Sequence, residues 1–431
     1  MSAAPRTAFD MVIVGAGPAG STAAIQLARA GWSVALVERQ RFPRRKVCGE
    51  CIAASNLPLL QALGIGEALN ACAGPELQRV SLLHGDRAVT ADLPDADHER
   101  YAWGRALGRE TLDGLLLEQA RAAGATVFQP WAVQAIMGTP GAWHCELRAL
   151  ESAALLRLRA SLVIDAHGSW EDLPTDRSQR RLARSASDLF AFKANFTRAS
   201  QPEGAISVLA LDGGYGGMVV AGGGMTTLAC CIRRDRLSAL RCDAIGQRAG
   251  DAVEAWLQRE CAGVRSALSG AVRDGAWLSA GPLNPGVRLH ARDKFFKVGN
   301  AAGEAHPILG EGMSMALQSA ALLSSLLGQA GAAALADGSG QAALQRRYAA
   351  AWRKQFAPRL HLAAAFAHLA MRPRSAAALM KLLSVWPGLL TRGARWGGKV
   401  RLADPARSME RPEARPALDA LPEAQSALPA P

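Results

Sequence analysis

The amino-acid sequence predicts a mixed α/β fold, and three stretches carry that expectation. Residues 9–39 read as strand, glycine turn, helix and strand. Residues 295–319 read as a strand that runs through a second glycine-rich turn into a helix. Between them, residues 188–274 change to short apolar strands separated by tight turns and then a polar-faced helical stretch. Strand–turn–helix units build a Rossmann-like, mostly parallel sheet, whereas short strands with tight turns build an antiparallel one. The expected architecture is a discontinuous nucleotide-binding domain (1–78, 104–180 and 284–335) carrying an inserted, mostly antiparallel β-sheet substrate domain (79–103 and 181–283). A C-terminal helical segment (340–400) and a disordered tail (401–431) follow.

The first stretch is organised by Gly15, Gly17 and Gly20 in G-x-G-x-x-G spacing. Residues 11–14 are an apolar run suited to a buried parallel strand. Gly15 permits the turn, Gly17 lets backbone approach a pyrophosphate, and Gly20 lets the helix pack close to the strand. The helix is expected over 21–30, with Ala19 at the turn and Gly31 as its C-cap. A second strand over 34–37 ends at Glu38, whose carboxylate suits the two hydroxyls of an adenosine ribose. The free N–H groups of the helix N-terminus suit the diphosphate. An acid at this position selects an unphosphorylated ribose, hence FAD or NAD.

Composition bounds the rest. At 431 residues the chain is long enough for two or three domains, and 49% of it is hydrophobic, as in a globular protein. The net charge of +12 comes mostly from scattered arginines, and no nucleic-acid-binding module accompanies it. From the short polar N-terminus no signal peptide is expected, and no apolar run is long enough to span a bilayer. The eight cysteines lack the spacing of a disulfide framework, so a reduced, cytoplasmic protein is expected.

Glu38 is followed by Arg39 and a basic segment that includes Lys46, suited either to a diphosphate, to an anionic substrate or to solvent. Cys48, Gly49, Glu50 and Cys51 then form a C-x-x-C. It reads as a redox dithiol, as a zinc half-site without its other half, or as a loop placed near a cofactor for packing. Phe-Pro-Arg-Arg-Lys-Val-Cys-Gly-Glu at 42–50, after the strand Val-Ala-Leu-Val-Glu-Arg, resembles the FAD-dependent oxidoreductases typified by the geranylgeranyl reductases. These belong to the p-hydroxybenzoate-hydroxylase-like superfamily.

The resemblance implies further cofactor residues. Arg109 and Asp113, opening a helix expected over 112–123, match an R-x-x-x-D segment near the flavin; a surface ion pair is the other reading. Asp165-Ala-His167-Gly168, after a strand over 162–164, resembles the D-A-x-G turn of the reductase and halogenase branches. Asn300, Ala301, Gly303, Pro307, Gly310, Glu311, Gly312 and Met313 match G-D-A-A-G…P-x-x-G-E-G-x-x-x-A. There the family's acid holds the ribityl chain; Asn300 stands in its place, and an amide keeps the hydrogen bonds. The helix from Met313 implies N–H groups and a positive dipole end aimed at the flavin's pyrimidine.

Residues 76–89 read as a hairpin turning at His84-Gly85-Asp86, and residues 126–133 as a strand at the edge of the nucleotide-binding sheet. In the inserted region, residues 190–196, 205–211 and 225–232 read as strands, and 212–218 as a glycine-rich loop against a ligand or flavin. The resembled lipid reductases carry Y-x-W-x-F-P here; this chain keeps Tyr215 but has Gly217 where tryptophan would be, implying a wider pocket. Residues 235–268 read as a helical cover over the sheet. A long helix over 343–366, kinked at Pro358, and another over 376–385 mix apolar and basic residues. They read either as a cover on the substrate site or as a peripheral contact with a membrane surface.

No second complete G-x-G-x-x-G follows, so a nicotinamide donor, NAD(P)H, is expected only as a transient visitor, or a reductase protein replaces it. Three chemistries fit. The favoured one is monooxygenation of a small hydrophobic or aromatic molecule through a flavin C4a-hydroperoxide. Reduction of a C=C bond in a prenyl or polyketide-type substrate is the alternative, and halogenation lacks its W-x-W-x-I-P. A non-catalytic electron-transfer flavoprotein, with a reductase or carrier protein as partner, is the reading from a different class. Tyr215, Cys48 and His167 are the candidate catalytic residues.

Overall fold

A computed structural model describes residues 6–395, apart from 97, 99, 170–172, 174–183, 244–245 and 333–337. The expected disordered tail, 401–431, lies outside the described residues.

The chain opens with β1 (Ala8–Val14), α1 (Pro18–Arg29) and β2 (Val34–Val37), then a hairpin of β3 (Arg79–His84) and β4 (Arg87–Asp92). Helix α2 (Arg109–Ala122) precedes β5 (Thr126–Phe128), β6 (Trp131–Thr139), β7 (Ala142–Ala149) and β8 (Leu155–Asp165). Next come β9 (Leu189–Thr197), β10 (Ala205–Leu211), β11 (Gly214–Val220) and β12 (Thr226–Arg233). Three helices, α3 (Arg234–Asp243), α4 (Ala249–Glu260) and α5 (Ala262–Ala267), lead to β13 (Val272–Leu283) and the short β14 (Phe296–Lys297). The chain closes with α6 (Gly312–Ala330), α7 (Gly338–Ala370), α8 (Pro373–Val385) and α9 (Gly388–Ala394).

Two seven-stranded sheets organise these elements. The first runs β5-β2-β1-β8-β7-β6. Strands β5, β2, β1 and β8 are parallel, β7 and β6 form an antiparallel extension, and β14 pairs with the C-terminal end of β8. The apolar run of β1 fits this place, because helices cover one face and packed side chains of β6 and β7 the other. The second sheet runs β13-β9-β12-β11-β10-β3-β4, antiparallel except where β10 meets β3. Helices α3, α4 and α5 cover one face around Trp256; the C-terminal part of α7 and α8 pack on the other around Met380 and Leu383. Among the described residues no helix is long and apolar enough to cross a membrane.

Several expected elements shift, each for a physical reason. Helix α1 starts at Pro18 rather than Ser21, because proline's fixed φ and missing N–H suit the first helical position. The expected strand over 126–133 divides at Gln129-Pro130, where the ladder loses a donor. The helical cover divides into three helices, and the long helix expected over 343–366 extends over Gly338–Ala370 with Pro358 inside it. Strands β7 and β13 were not anticipated; β13 is an edge strand interrupted by Gly275, Gly281 and Pro282.

The largest difference concerns the expected glycine-rich loop over 212–218. Only Asp212 and Gly213 turn; Gly214–Val220 is a strand at the heart of the second sheet. Its glycines admit close neighbours: a Cβ on Gly216 would lie 2.7 Å from the Ala229 carbonyl oxygen and 2.9 Å from Cys230 Cβ. Gly216→Val should therefore destabilise the protein by about 1–3 kcal/mol through overpacking, read as a lower midpoint in urea unfolding.

Candidate functional site

The glycine turn between β1 and α1 forms one end of a cavity of about 400 Å³. Gly15 adopts φ 103°, and a Cβ there would meet the Ala166 carbonyl oxygen at 2.5 Å. Gly20 lies deeper, where a Cβ would fall 1.8 Å from the Gly15 carbonyl oxygen, so α1 packs onto the turn only through a glycine. Gly15, Gly17 and Ala19 line the cavity, and Glu38 closes its wall at the end of β2. The Glu38 carboxylate accepts from Ala16 N at 3.0 Å and from Gln40 N at 2.8 Å, which fixes it beside the turn.

Three cations converge on the same end. Arg109 is buried rather than on the surface, and it donates from Nε and Nη2 to Asp113 at 2.7 and 2.8 Å. Burial works against its charge, but the bidentate Asp113 outweighs that and raises its pKa. Arg44 approaches Asp113 at 3.5 Å and Glu38 at 3.8 Å, and its Nε is buried without a hydrogen-bond partner. Lys46 is held down to about 8, first by burial and then by Arg109 and Arg44. A buried orphan donor, two carboxylate-braced arginines and a helix N-terminus fit a diphosphate, and the adjacent Glu38 fits a ribose. These residues fit FAD, which would supply the two-electron redox chemistry.

The middle of the cavity is lined by Cys48, Gly49, His167, Gly168 and Asn300, with Pro307, Gly310, Gly312 and Met313 at the start of α6. Asn300 donates from Nδ2 to Ser169 Oγ at 2.7 Å. His167 is held by Asp165 through its ring Nδ1 and its backbone N–H. Cys48 Sγ accepts from Glu50 N, and Cys51 Sγ donates to the Gly49 carbonyl. Among the described residues no group of three or more His, Cys, Asp or Glu side chains is placed to hold a metal.

Six expected cofactor residues are not on the cavity wall. Gly20 serves the helix packing described above. Arg39 is exposed, because the chain turns outward after β2. Asp165 acts through His167, and Ala301 is buried in a 3-10 turn behind Asn300. Gly303 packs against Trp352 of α7, with room for no Cβ. Glu311 lies 3.6 Å from Arg359 of α7, pointing away from the cavity.

Residues outside the expected set complete the site: Glu50, Lys193 and Thr227 form one seam, and His306 stands behind the expected Tyr215. Glu50, between the two cysteines, is buried at φ 59° and accepts from Arg109 N at 3.0 Å, from Lys193 Nζ and from Thr227 Oγ1 at 2.5 Å. Lys193 and Thr227 belong to β9 and β12, so this carboxylate ties the basic segment to the second sheet. The signal was a lysine inside the apolar strand Phe-Ala-Phe-Lys-Ala-Asn-Phe. Tyr215, on β11, lines the cavity and is hydrogen-bonded through Oη to His306 Nδ1 at 3.1 Å. Burial, then His368, lowers His306 to about 4, so at neutral pH its ring is uncharged, and its tautomer sets which partner of the Tyr215 hydrogen bond donates. Burial pushes the Tyr215 pKa well up. Beyond Tyr215 the cavity becomes apolar, between Leu82 and Val208 of the second sheet and Leu379, Leu383 and Leu390 of α8 and α9.

Two outcomes test this geometry. Lys193→Met strands the buried Glu50 charge and should cost about 3–5 kcal/mol in chemical unfolding, with Lys193→Met/Glu50→Gln recovering much of it. An anion bound beside Lys46 holds its proton more tightly than the free protein does. Affinity for FAD should therefore fall as pH rises above about 8, by up to about tenfold per pH unit. Flavin fluorescence titrations should show this slope, and Lys46→Met should flatten it.

The chain is similar to several known proteins. Over 119 residues the chain is 38% identical to a tryptophan 2-halogenase of Chondromyces crocatus (28% of this chain, 22% of that protein). Over the same length it is 36% identical to a menaquinone reductase of Mycobacterium tuberculosis (28% of each). The chain thus spans about a quarter of the length of these curated relatives. In fold it matches the myxobacterial chondrochloren halogenase CndH at TM-score 0.70 and 18% identity, covering 92% of this chain and 97% of that one. A geranylgeranyl bacteriochlorophyll reductase-like protein of Thermoplasma acidophilum also reaches 0.70 at 18%, covering 88% and 92%. Halogenase and reductase-like proteins match equally well, so the resemblance to geranylgeranyl reductases extends to the wider FAD-dependent group rather than to that branch alone. The FAD binding domain family model matches residues 8–360, and the chain belongs to that family of FAD-dependent enzymes.

Proposed function

We propose that this protein is an FAD-dependent monooxygenase of a hydrophobic or aromatic molecule. The carrying observation is the single cavity that joins the dinucleotide cradle to an apolar chamber. Bound FAD would supply the two-electron redox chemistry, in which dioxygen gives one atom to the substrate and the other leaves as water, with the two electrons coming from the nicotinamide donor. The chain's own residues perform the rest. Glu38, Arg44, Lys46 and Arg109 hold the dinucleotide, and Asn300 and the start of α6 flank its redox-active end. The apolar walls orient the substrate and exclude water. Tyr215, backed by neutral His306, is the wall hydroxyl next to the apolar chamber and is able to hold or pass a proton. Cys48 and His167 line the cofactor end and are assigned to cofactor contact rather than to proton transfer. NAD(P)H is the proposed donor, visiting the cavity without a domain of its own.

Reduction of a C=C bond is the second reading, favoured by the same Tyr215–His306 pair, because addition of hydride across a double bond also needs a proton. The experiment is aerobic turnover of the holoenzyme with NADH or NADPH, labelled dioxygen, bromide, and a panel of aromatic and prenylated compounds, with products read by mass spectrometry. One labelled oxygen atom in a product is expected. A product gaining two hydrogens and no label would establish the reductase, and a brominated product would make it a halogenase. Tyr215→Phe should lower turnover with little change in FAD retention.

A further inference from the structure

Helices α8 and α9 present apolar side chains on two faces. Their inner faces close the apolar end of the cavity through Leu379, Leu383, Leu389 and Leu390. Their outer surface leaves large apolar side chains in solvent: Val385 is 68% exposed, Trp386 61% and Leu382 42%. Leu382 belongs to both, lining the cavity while remaining exposed, so the chamber reaches the surface at this point. Arg374, Ala378, Lys381, Leu382 and Val385 are all exposed and follow the 3–4 residue spacing of one helical stripe. Apolar exposure of this kind, concentrated at a cavity mouth, marks an interaction site.

Charge identifies the partner. Residues 361–395 contain no Asp or Glu, while Arg372, Arg374, Lys381, Arg392 and Arg395 are all exposed cations. One neighbouring acid is Asp92 at the end of β4, whose backbone carbonyl accepts from Thr391 of α9 at 2.6 Å. A surface with protruding Leu, Val and Trp set among cations suits the interface of an anionic bilayer: the apolar groups enter the acyl boundary and the cations meet lipid phosphates. An acidic protein surface would satisfy the cations but leave the large apolar side chains without an acyl layer to enter.

We infer that α8 and α9 dock on an anionic lipid surface and open the apolar end of the cavity toward it, so that the substrate enters from lipid. The inference deepens the proposed function by naming the substrate class as a lipid-soluble molecule, and it rests on that reading only for the substrate.

The test is co-sedimentation of the full-length, FAD-loaded protein with vesicles of phosphatidylcholine alone or mixed with phosphatidylglycerol. Binding to the mixed vesicles, weakened by added salt and absent on phosphatidylcholine alone, is expected. Val385→Glu/Trp386→Glu should abolish it, and Lys381→Ala should weaken it about fivefold, both with an unchanged flavin absorption spectrum. Binding to neither vesicle, equal binding to both, or full binding by the double variant would overturn the docking surface. So would capture by an acidic protein with no lipid binding. Because flavin content is read in the same samples, failure of docking in a yellow, FAD-loaded protein leaves the proposed oxidoreductase standing. Failure to bind FAD would instead bring down that reading.

Discussion

The Glu50 carboxylate is the constraint on which the site depends. It is buried, it sits on a backbone in the left-handed region, and its partners come from three places: the first turn of α2, β9 and β12. A non-glycine residue at such a φ costs about 1–3 kcal/mol and persists only where surrounding contacts hold it. Here those contacts are a lysine, a threonine hydroxyl and a backbone N–H. They tie the segment that carries Cys48 and Gly49, both on the cavity wall, to the second sheet.

On one side of this seam the chemistry is ionic, and on the other it is apolar. The cradle gathers Arg44, Lys46 and Arg109 around a helix N-terminus, and the cost of burying three cations is met only in part by Asp113 and Glu38. The remaining positive potential is what an anionic dinucleotide would neutralise. The chamber beyond Tyr215 offers few polar partners, so its occupant is selected by shape and apolar area. The Tyr215–His306 pair stands at the junction, with exposed His368 next to His306 at 5.7 Å between ring centroids. A short chain of titratable groups thus connects the chamber wall with the solvent side of α7.

Much of this was legible because local chemistry dictates it. The G-x-G-x-x-G turn and Glu38 are read from spacing alone, since the close approach of Gly20 to Gly15 tolerates no other residue. Strands β2 and β10 appear with their expected bounds because their apolar runs end at turn residues. The glycines at 214–217 misled for the same reason that glycines inform: they mark close backbone approach, and the approach proved to be between strands rather than to a turn. Glu50 and Lys193 were hidden because a buried ion pair is made by residues 143 positions apart, which local pattern does not connect. Glu311 follows its motif in sequence, yet its side chain serves the packing of α6 on α7 through Arg359. Motif membership thus identifies the segment near the cofactor, and the fold decides which side chains face it.

The central claim is that one continuous cavity brings the cofactor and an apolar substrate into contact. Its most direct test is titration of the FAD-loaded protein with hydrophobic aromatic and prenylated ligands while recording the flavin absorption spectrum. A yellow protein with one FAD per chain is expected, its flavin bands shifting saturably as a ligand fills the adjacent chamber. A protein that binds no flavin, or ligands that bind without perturbing the flavin spectrum, would contradict it.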